Sequence, residues 1–197
     1  MSAPIYLARH GETEFNRAGL VQGRGDSPLT EAGRAQARRV GAQLGRLQAR
    51  EARPFRLWSS PLPRALTTAQ IIAEAAGHPG AITVDERLAE IGGGSFEGLS
   101  RDDILARVPE AGAHEILLLR APDGEGLAAV QARLRDWLAE VAAEPAAAHL
   151  AVSHSGTGRV LRSLWLGLDL AAAMRLPAPQ DALFRLEQGV EERIDCA

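Results

Sequence analysis

Lysine is absent from this chain: all 22 basic residues are arginine, set against 25 acidic residues for a formal charge of -3. The arginines are dispersed among the acids, so no basic face is offered to a phosphate backbone, and nucleic acid is excluded as the main partner. Cysteine is almost as scarce. Cys196 alone can form no internal disulfide and no cysteine-based metal cluster. Long hydrophobic runs are missing too: none approaches the ~20 apolar residues that span a bilayer. The N-terminal Met1-Ser2-Ala3-Pro4-Ile5-Tyr6-Leu7 has no basic segment of the kind that opens a signal peptide. These absences point to a cytoplasmic protein with no membrane partner. What remains is ordinary for a folded protein, 197 residues with 46% hydrophobic and 24% charged, and it suits a single domain over residues 1–197.

Short apolar runs alternate with amphipathic stretches, the pattern of an α/β protein with a mostly parallel sheet. Strands are expected at Ile5 to Ala8, Phe55 to Trp58, Ile82 to Val84, Leu150 to Val152 and Ala182 to Leu186. Thr30 suits the N-cap of a helix from Glu31 to about Arg50. A second helix runs through Ala65, Leu66, Ala69, Ile72 and Ala76, ended by Gly77 and Pro79. Leu127, Val130, Leu134, Trp137, Leu138 and Val141 recur at helical spacing, and a last helix follows Gly156. Residues of about 100–125 read as a small lobe inserted over one end of the sheet. Gly92-Gly93-Gly94 before it is expected to form a mobile loop.

Two places look alike. Arg9-His10-Gly11 and His154-Ser155-Gly156 each put a histidine where an apolar strand gives way to a glycine-opened loop. Ligands of open α/β sheets bind at the carboxyl ends of the strands. Arg64 beyond the second strand and Glu90 beyond the third could reach the same edge. Two arginines, two histidines and a carboxylate suit a phosphoryl group. Guanidinium groups clamp phosphate oxygens in pairs, and a neutral imidazole can attack phosphorus. A protonated second imidazole can stabilise the developing charge, and a carboxyl group can protonate the leaving alkoxide. With arginines supplying positive charge, this set requires no metal or other cofactor.

Arg9-His10-Gly11-Glu12-Thr13, with Asn16, Gln22-Gly23, Ser27-Pro28-Leu29-Thr30 and Gly33, resembles the opening of the histidine phosphatase (phosphoglycerate mutase-like) superfamily. Ser59-Ser60-Pro61-Leu62-Pro63-Arg64-Ala65, Leu88-Ala89-Glu90-Ile91 and Val152-Ser153-His154 with Gly156 resemble its later motifs in the family's order, across about residues 5 to 168. The resemblance implies a three-layer α/β/α sandwich and a phosphohistidine mechanism. His10 would be the nucleophile, Glu90 the proton donor, and Arg9, Arg64 and His154 the phosphate pocket. Asn16, Gln22 and Gly23 fall where the family makes further substrate contacts. Ser155, standing where glycine is common, is assigned to substrate binding. Gly124-Glu125-Gly126 departs from the frequent Gly-Glu-Ser, with loss of a hydroxyl contact or a helix cap.

Taken singly, each residue has a plainer reading. Arg9 or Arg64 alone would be a solvated or ion-paired arginine, and only the convergence argues for more. Glu12 suits loop arrangement better than chemistry. His78 and His149 read as surface residues, His114 as a lobe residue outside the chemistry, and Trp58, Trp137 and Trp165 as core. Ile116-Leu117-Leu118-Leu119 reads as lobe core, with an apolar leaving group or a homodimer contact as its alternatives. The expected activity is a metal-independent phosphatase acting on a small phosphomonoester. A phosphoglycerate mutase is the alternative enzyme, and a non-catalytic phospho-ligand binding protein the alternative outside catalysis.

Overall fold

The computed structural model describes residues 3–111 and 116–196. Its first strand, β1 (Ile5–Arg9), feeds two separate cores. Ile5 and Leu7 enter one cluster, Tyr6 and Ala8 the other, because successive strand side chains leave opposite faces. Burial on both faces is why the run is apolar throughout instead of alternating.

After β1 come a single helical turn, α1 (Glu14–Arg17), then α2 (Glu31–Gln48), β2 (Phe55–Ser59), α3 (Pro63–Ala76) and β3 (Ile82–Val84). The chain continues through α4 (Arg101–Arg107), α5 (Leu127–Ala142), β4 (Ala148–Ser153), α6 (Ser155–Leu166) and α7 (Leu170–Met174), and closes with β5 (Ala182–Glu187) and β6 (Val190–Asp195). One six-stranded sheet results, in the order β3-β2-β4-β1-β5-β6. The four strands from β3 to β1 are parallel, with Leu57, Leu150 and Tyr6 in register across β2, β4 and β1. β5 pairs antiparallel with β1, and β6 antiparallel with β5.

Helices cover both faces. Val40 and Leu44 of α2 and Ile72 of α3 pack on one side. Val130, Leu134 and Trp137 of α5, with Val160 and Leu161 of α6, pack on the other. Each such large buried side chain contributes roughly 1.5–3 kcal/mol relative to exposure. This is the three-layer α/β/α sandwich with a mostly parallel sheet. The lobe has a smaller core of its own, Phe96, Ile104 and Leu117. None of the described helices is long and apolar enough to cross a membrane.

Thr30 caps α2 as expected, its hydroxyl accepting from the Gly33 amide at 3.0 Å. The β5–β6 hairpin is an addition to the sequence reading. Its turn is Gln188-Gly189, both at positive φ (53° and 76°), the geometry that matches strand twist in a two-residue loop. His149 is a correction: it is fully buried on β4, and its Nδ1 accepts from the Trp58 indole at 3.1 Å. The burial follows from β4 being the interior strand between β2 and β1, where an imidazole is accommodated by giving it a partner.

The loop at Gly92-Gly93-Gly94 is also not as expected. Gly93 N–H donates to Glu97 Oε1 at 2.8 Å, Glu125 N–H to the Gly92 carbonyl at 2.7 Å, and Ser95 N–H to Asp123. These glycines permit close approach more than freedom: a Cβ on Gly93 would lie 2.2 Å from Leu118 Cδ2. The expectation for His114 lies outside the described residues. Trp58 and Trp137 are core residues meeting edge to face at 5.9 Å, whereas Trp165 is only half-buried.

Candidate active site

The carboxyl ends of β1, β2 and β4 lie side by side, and the histidines leave from two of them. His10 follows β1 directly, its amide still donating to the Ser153 carbonyl of β4 at 3.0 Å. His154 follows β4. The two rings are 5.1 Å apart between centroids and tilted by 55°. Both side chains are almost wholly buried, at 2% exposure each.

Their protonation is set by this burial. His10 Nδ1 lies 2.8 Å from the Gly11 carbonyl, which can only accept, so Nδ1 carries the hydrogen and Nε2 keeps a free lone pair. Desolvation, then the nearby Arg9 and Arg64 charges, hold the His10 imidazole well below the usual histidine range. His154 is lowered in the same way, by burial first and then by His10, Arg64 and Arg9. Its Nε2 meets Ser60 Oγ at 2.7 Å, while its Nδ1 is buried without a partner.

Arg64, in the first turn of α3, is almost fully buried and donates to the Gly23 and Gly25 carbonyls, both at 2.6 Å. That fixes the Gln22–Gly25 turn beside it. Arg9 donates through Nη1 to the Ala178 carbonyl at 2.9 Å; burial lowers its pKa to about 10, which leaves it charged at neutral pH.

Glu90 arrives from the loop beyond β3 and caps the start of α6. Its Oε1 is met by the amides of Ile91 and Thr157, at 3.0 and 2.9 Å, and by the Thr157 hydroxyl at 3.1 Å. Its Oε2 accepts from the Gly156 amide alone, at 3.1 Å. Gly156 permits this approach, since a Cβ there would stand 2.9 Å from Glu90 Oε1.

A cavity of about 200 Å³ brings together Arg9, His10, Asn16, Gln22, Gly23, Arg64, Glu90 and Ser155. His154 lies beside His10 and lines a much smaller adjoining recess with Ser155 and Arg159. Sequence reasoning missed Arg159, which lines both spaces and donates to Ser155 Oγ at 2.8 Å. Its signal was its spacing, one helical turn after Ser155 at the opening of α6. Leu20, Val21, Ile116, Leu117 and Leu118 form the apolar side of the same cavity. Glu12 arranges the loop, accepting from the Thr30 hydroxyl at 2.7 Å while its amide donates to Gln36.

Among the described residues, seven buried side-chain polar atoms have no hydrogen-bond partner. Four of them are here: Arg9 Nε, Gln22 Oε1, Arg64 Nε and His154 Nδ1. Unsatisfied buried groups are costly, and three of the four are nitrogens able to donate, so their concentration at one place calls for a ligand able to accept hydrogen bonds. Four arginines, Arg9, Arg64, Arg101 and Arg159, against the one carboxylate of Glu90 give that place the electrostatics of an anion site.

A doubly covered parallel sheet with two histidines at adjacent strand ends, flanked by arginines, defines a class of α/β proteins that handle phosphoryl groups. The chain belongs to the histidine phosphatase superfamily (branch 1), whose pattern it matches over residues 5–193. It is 35% identical over 189 residues to the "Probable phosphoglycerate mutase GpmB" of Salmonella arizonae, covering 93% of this chain and 84% of that protein. Among solved structures it is similar to a mycobacterial glucosyl-3-phosphoglycerate phosphatase in complex with VO3, with 30% identity, a TM-score of 0.80 and complete coverage of both chains. It is also similar to Bacillus stearothermophilus YhfR, with 31% identity and a TM-score of 0.78 over 97% of this chain and 95% of that one.

Proposed function

We propose that the protein is a phosphomonoesterase that works through a phosphohistidine on His10. The observation that carries this reading is the neutral His10 tautomer, with Nε2 free, on one cavity with the unpartnered Arg9 and Arg64 nitrogens and beside His154, whose Nδ1 is also unpartnered. In the first step Nε2 bonds to phosphorus as the ester P–O bond breaks, and the departing alkoxide takes a proton from Glu90. Oε2 suits that role, because it meets one amide where Oε1 meets two, the single Thr157 hydroxyl hydrogen having the closer Ala89 carbonyl as its acceptor. In the second step Glu90 takes a proton from water, whose oxygen displaces His10 from phosphorus and releases inorganic phosphate. Arg9 and Arg64 hold the equatorial oxygens throughout, and His154, gaining a proton when the dianion arrives, stabilises the transition state. Asn16, Gln22, Gly23 and Ser155 complete the substrate contacts.

Hydrolysis is supported by the full-length similarity to a protein named as a phosphatase. The likeness to GpmB favours a second reading, transfer of the phosphoryl group to another hydroxyl of the substrate. One assay decides. Phosphate release is measured from p-nitrophenyl phosphate and a phosphomonoester panel that includes 3-phosphoglycerate, with EDTA present, for wild type and His10→Ala. The reading expects release by wild type and none by a folded His10→Ala. An active His10→Ala removes His10 as nucleophile, and isomerisation of 3-phosphoglycerate without release favours the mutase.

A further inference from the structure

Between α7 and β5 the segment 176–180 runs beside the phosphate pocket, and three successive carbonyls along it are each held by an arginine. Arg159 Nε donates to Leu176 O at 2.8 Å, Arg162 Nη1 to Pro177 O at 2.5 Å, and Arg9 Nη1 to Ala178 O at 2.9 Å. Arg162 is itself fixed, paired with Glu191 and lying 3.6 Å over the Phe184 ring. Pro177 and Pro179 remove further backbone freedom. A strap secured at this many points presents its last side chain, Gln180, in a defined place.

Gln180 Nε2 donates to Asn16 Oδ1 at 2.9 Å. The same Oδ1 accepts from the Thr13 amide at 3.3 Å, one half of the capping box that opens α1. These contacts determine which way the Asn16 amide faces. A main-chain N–H can only donate, so the Asn16 atom beside Thr13 must be the oxygen; the Gln180 atom that meets this oxygen must then be its nitrogen. Asn16 Oδ1 is therefore occupied twice. The remaining polar atom, Nδ2, makes no hydrogen bond within the described residues, and Asn16 lines the cavity. The unprotonated oxygens of a phosphoryl group only accept, so an asparagine turned the other way would set its own acceptor against them.

We infer that Gln180 is a positioning residue, which locks Asn16 with its two Nδ2 hydrogens aimed at the phosphoryl group. This rests on the phosphoryl reading above. It acts through a neighbour rather than on the ligand, and it explains why a polar side chain ends an otherwise apolar, proline-bounded strap.

The test measures binding of inorganic phosphate by calorimetry to wild type, Gln180→Glu, Gln180→Ala, Asn16→Ala and the double variant Asn16→Ala/Gln180→Glu, with melting temperatures alongside. A glutamate at 180 can only accept, so it draws Asn16 Nδ2 toward itself and turns Oδ1 to the pocket. Gln180→Glu should weaken phosphate binding about tenfold or more, the value of a hydrogen bond to a charged group. Gln180→Ala, which merely frees the amide, should cost less. In the Asn16→Ala background the glutamate should have little further effect. Undiminished binding by Gln180→Glu overturns the inference, as does an equal loss with and without Asn16, which would mark a charge effect. Equal losses in Gln180→Ala and Gln180→Glu with parallel falls in melting temperature would reduce Gln180 to a structural residue. Wild type that binds no phosphate overturns the phosphoryl reading itself.

Discussion

The floor of the cavity and the lobe beside it are held together by different means. On the floor, main-chain groups far apart in sequence bind one another or a buried hydroxyl: His10 N–H meets Ser153 O, Ser153 Oγ donates to Leu88 O at 2.8 Å, and Gly11 N–H donates to Thr68 Oγ1 at 3.1 Å. Around the small apolar core of the lobe, the loops that adjoin it are held by carboxylates. Glu97 accepts from the amides of Gly93, Arg24 and Gly25, Asp123 from Ser95, and Glu125 from Arg133. The floor is thus a consequence of the parallel sheet, which cannot exist without ordering those strand ends. The lobe depends on a few side chains that substitution can change without touching the sheet. On the proposed function, reaction chemistry falls to the first kind of scaffold and choice of leaving group to the second.

Glu90 stands where the two meet, and Glu90→Gln should produce the largest effect that separates them. The amide can still fill the space at the start of α6 but cannot deliver a proton. Hydrolysis of alkyl phosphates should fall by about 10²–10⁴. The loss on p-nitrophenyl phosphate, whose leaving group needs little protonation, should be far smaller. Equal losses on both would assign the acid to another residue.

Paired glycine substitutions sharpen the contrast. A Cβ on Gly33 would lie 2.1 Å from the Glu12 carbonyl oxygen and 2.7 Å from the Glu12 nitrogen, main-chain atoms that cannot step aside. Gly33→Ala should cost up to about 3 kcal/mol and disturb the loop after His10. On Gly93 the obstacle is the tip of the Leu118 side chain, which can change rotamer. Gly93→Ala should cost about 1 kcal/mol, with its main effect on KM, since Leu118 lines the cavity. Urea unfolding beside steady-state kinetics checks both, and a Gly93→Ala as unstable as Gly33→Ala would erase the distinction.

Acid should also reach the floor first. His10 and His154 have folded values below that of the free side chain, so the unfolded chain binds more protons as pH falls beneath about 6.5. The stability they contribute is complete above that pH and is lost below it, by about 1.4 kcal/mol per pH unit for each histidine that stays neutral. In the lobe, burial works against the Glu125 carboxylate, yet Arg133 holds it below the usual carboxylate range, so its contribution persists to lower pH. Denaturant unfolding from pH 7 to 5 should show this slope. Added inorganic phosphate should flatten it by favouring the protonated His154, and a slope indifferent to phosphate would separate the histidines from the ligand.

Much of the floor was legible in the sequence because its signals are local. The apolar run ending in Arg9-His10-Gly11 announces a strand end, and Thr30 before Glu31 announces a helix start. Side chains whose roles depend on folding were not legible. Nothing near Gln180 points to Asn16, 164 residues away, and nothing near Ser60 points to His154. The burial of His149 is hidden for the same reason, since the interior position of β4 is a property of strand order. The glycines at 92–94 suggest freedom in the sequence because their neighbours, Leu118 and Asp123, come from a later stretch of chain.

The smallest predicted effect lies at the exit of the lobe, where a departure seen in the sequence meets its structural consequence. Gly126 is the N-cap of α5 and supplies no side-chain hydrogen bond to the first turn. Its backbone, at φ -71° and ψ 150°, is one any residue adopts, and a Cβ there would meet nothing within 4 Å. Gly126→Ser therefore adds a capping hydroxyl without displacing anything, for a gain of a few tenths of a kcal/mol. In a chain of this size that raises the melting temperature by about 1 °C, measurable by calorimetry with replicate scans. Unchanged kinetics with the expected gain would show that this junction can be tightened independently of the chemistry, whereas a gain accompanied by a changed KM would tie α5 to the leaving-group side of the cavity.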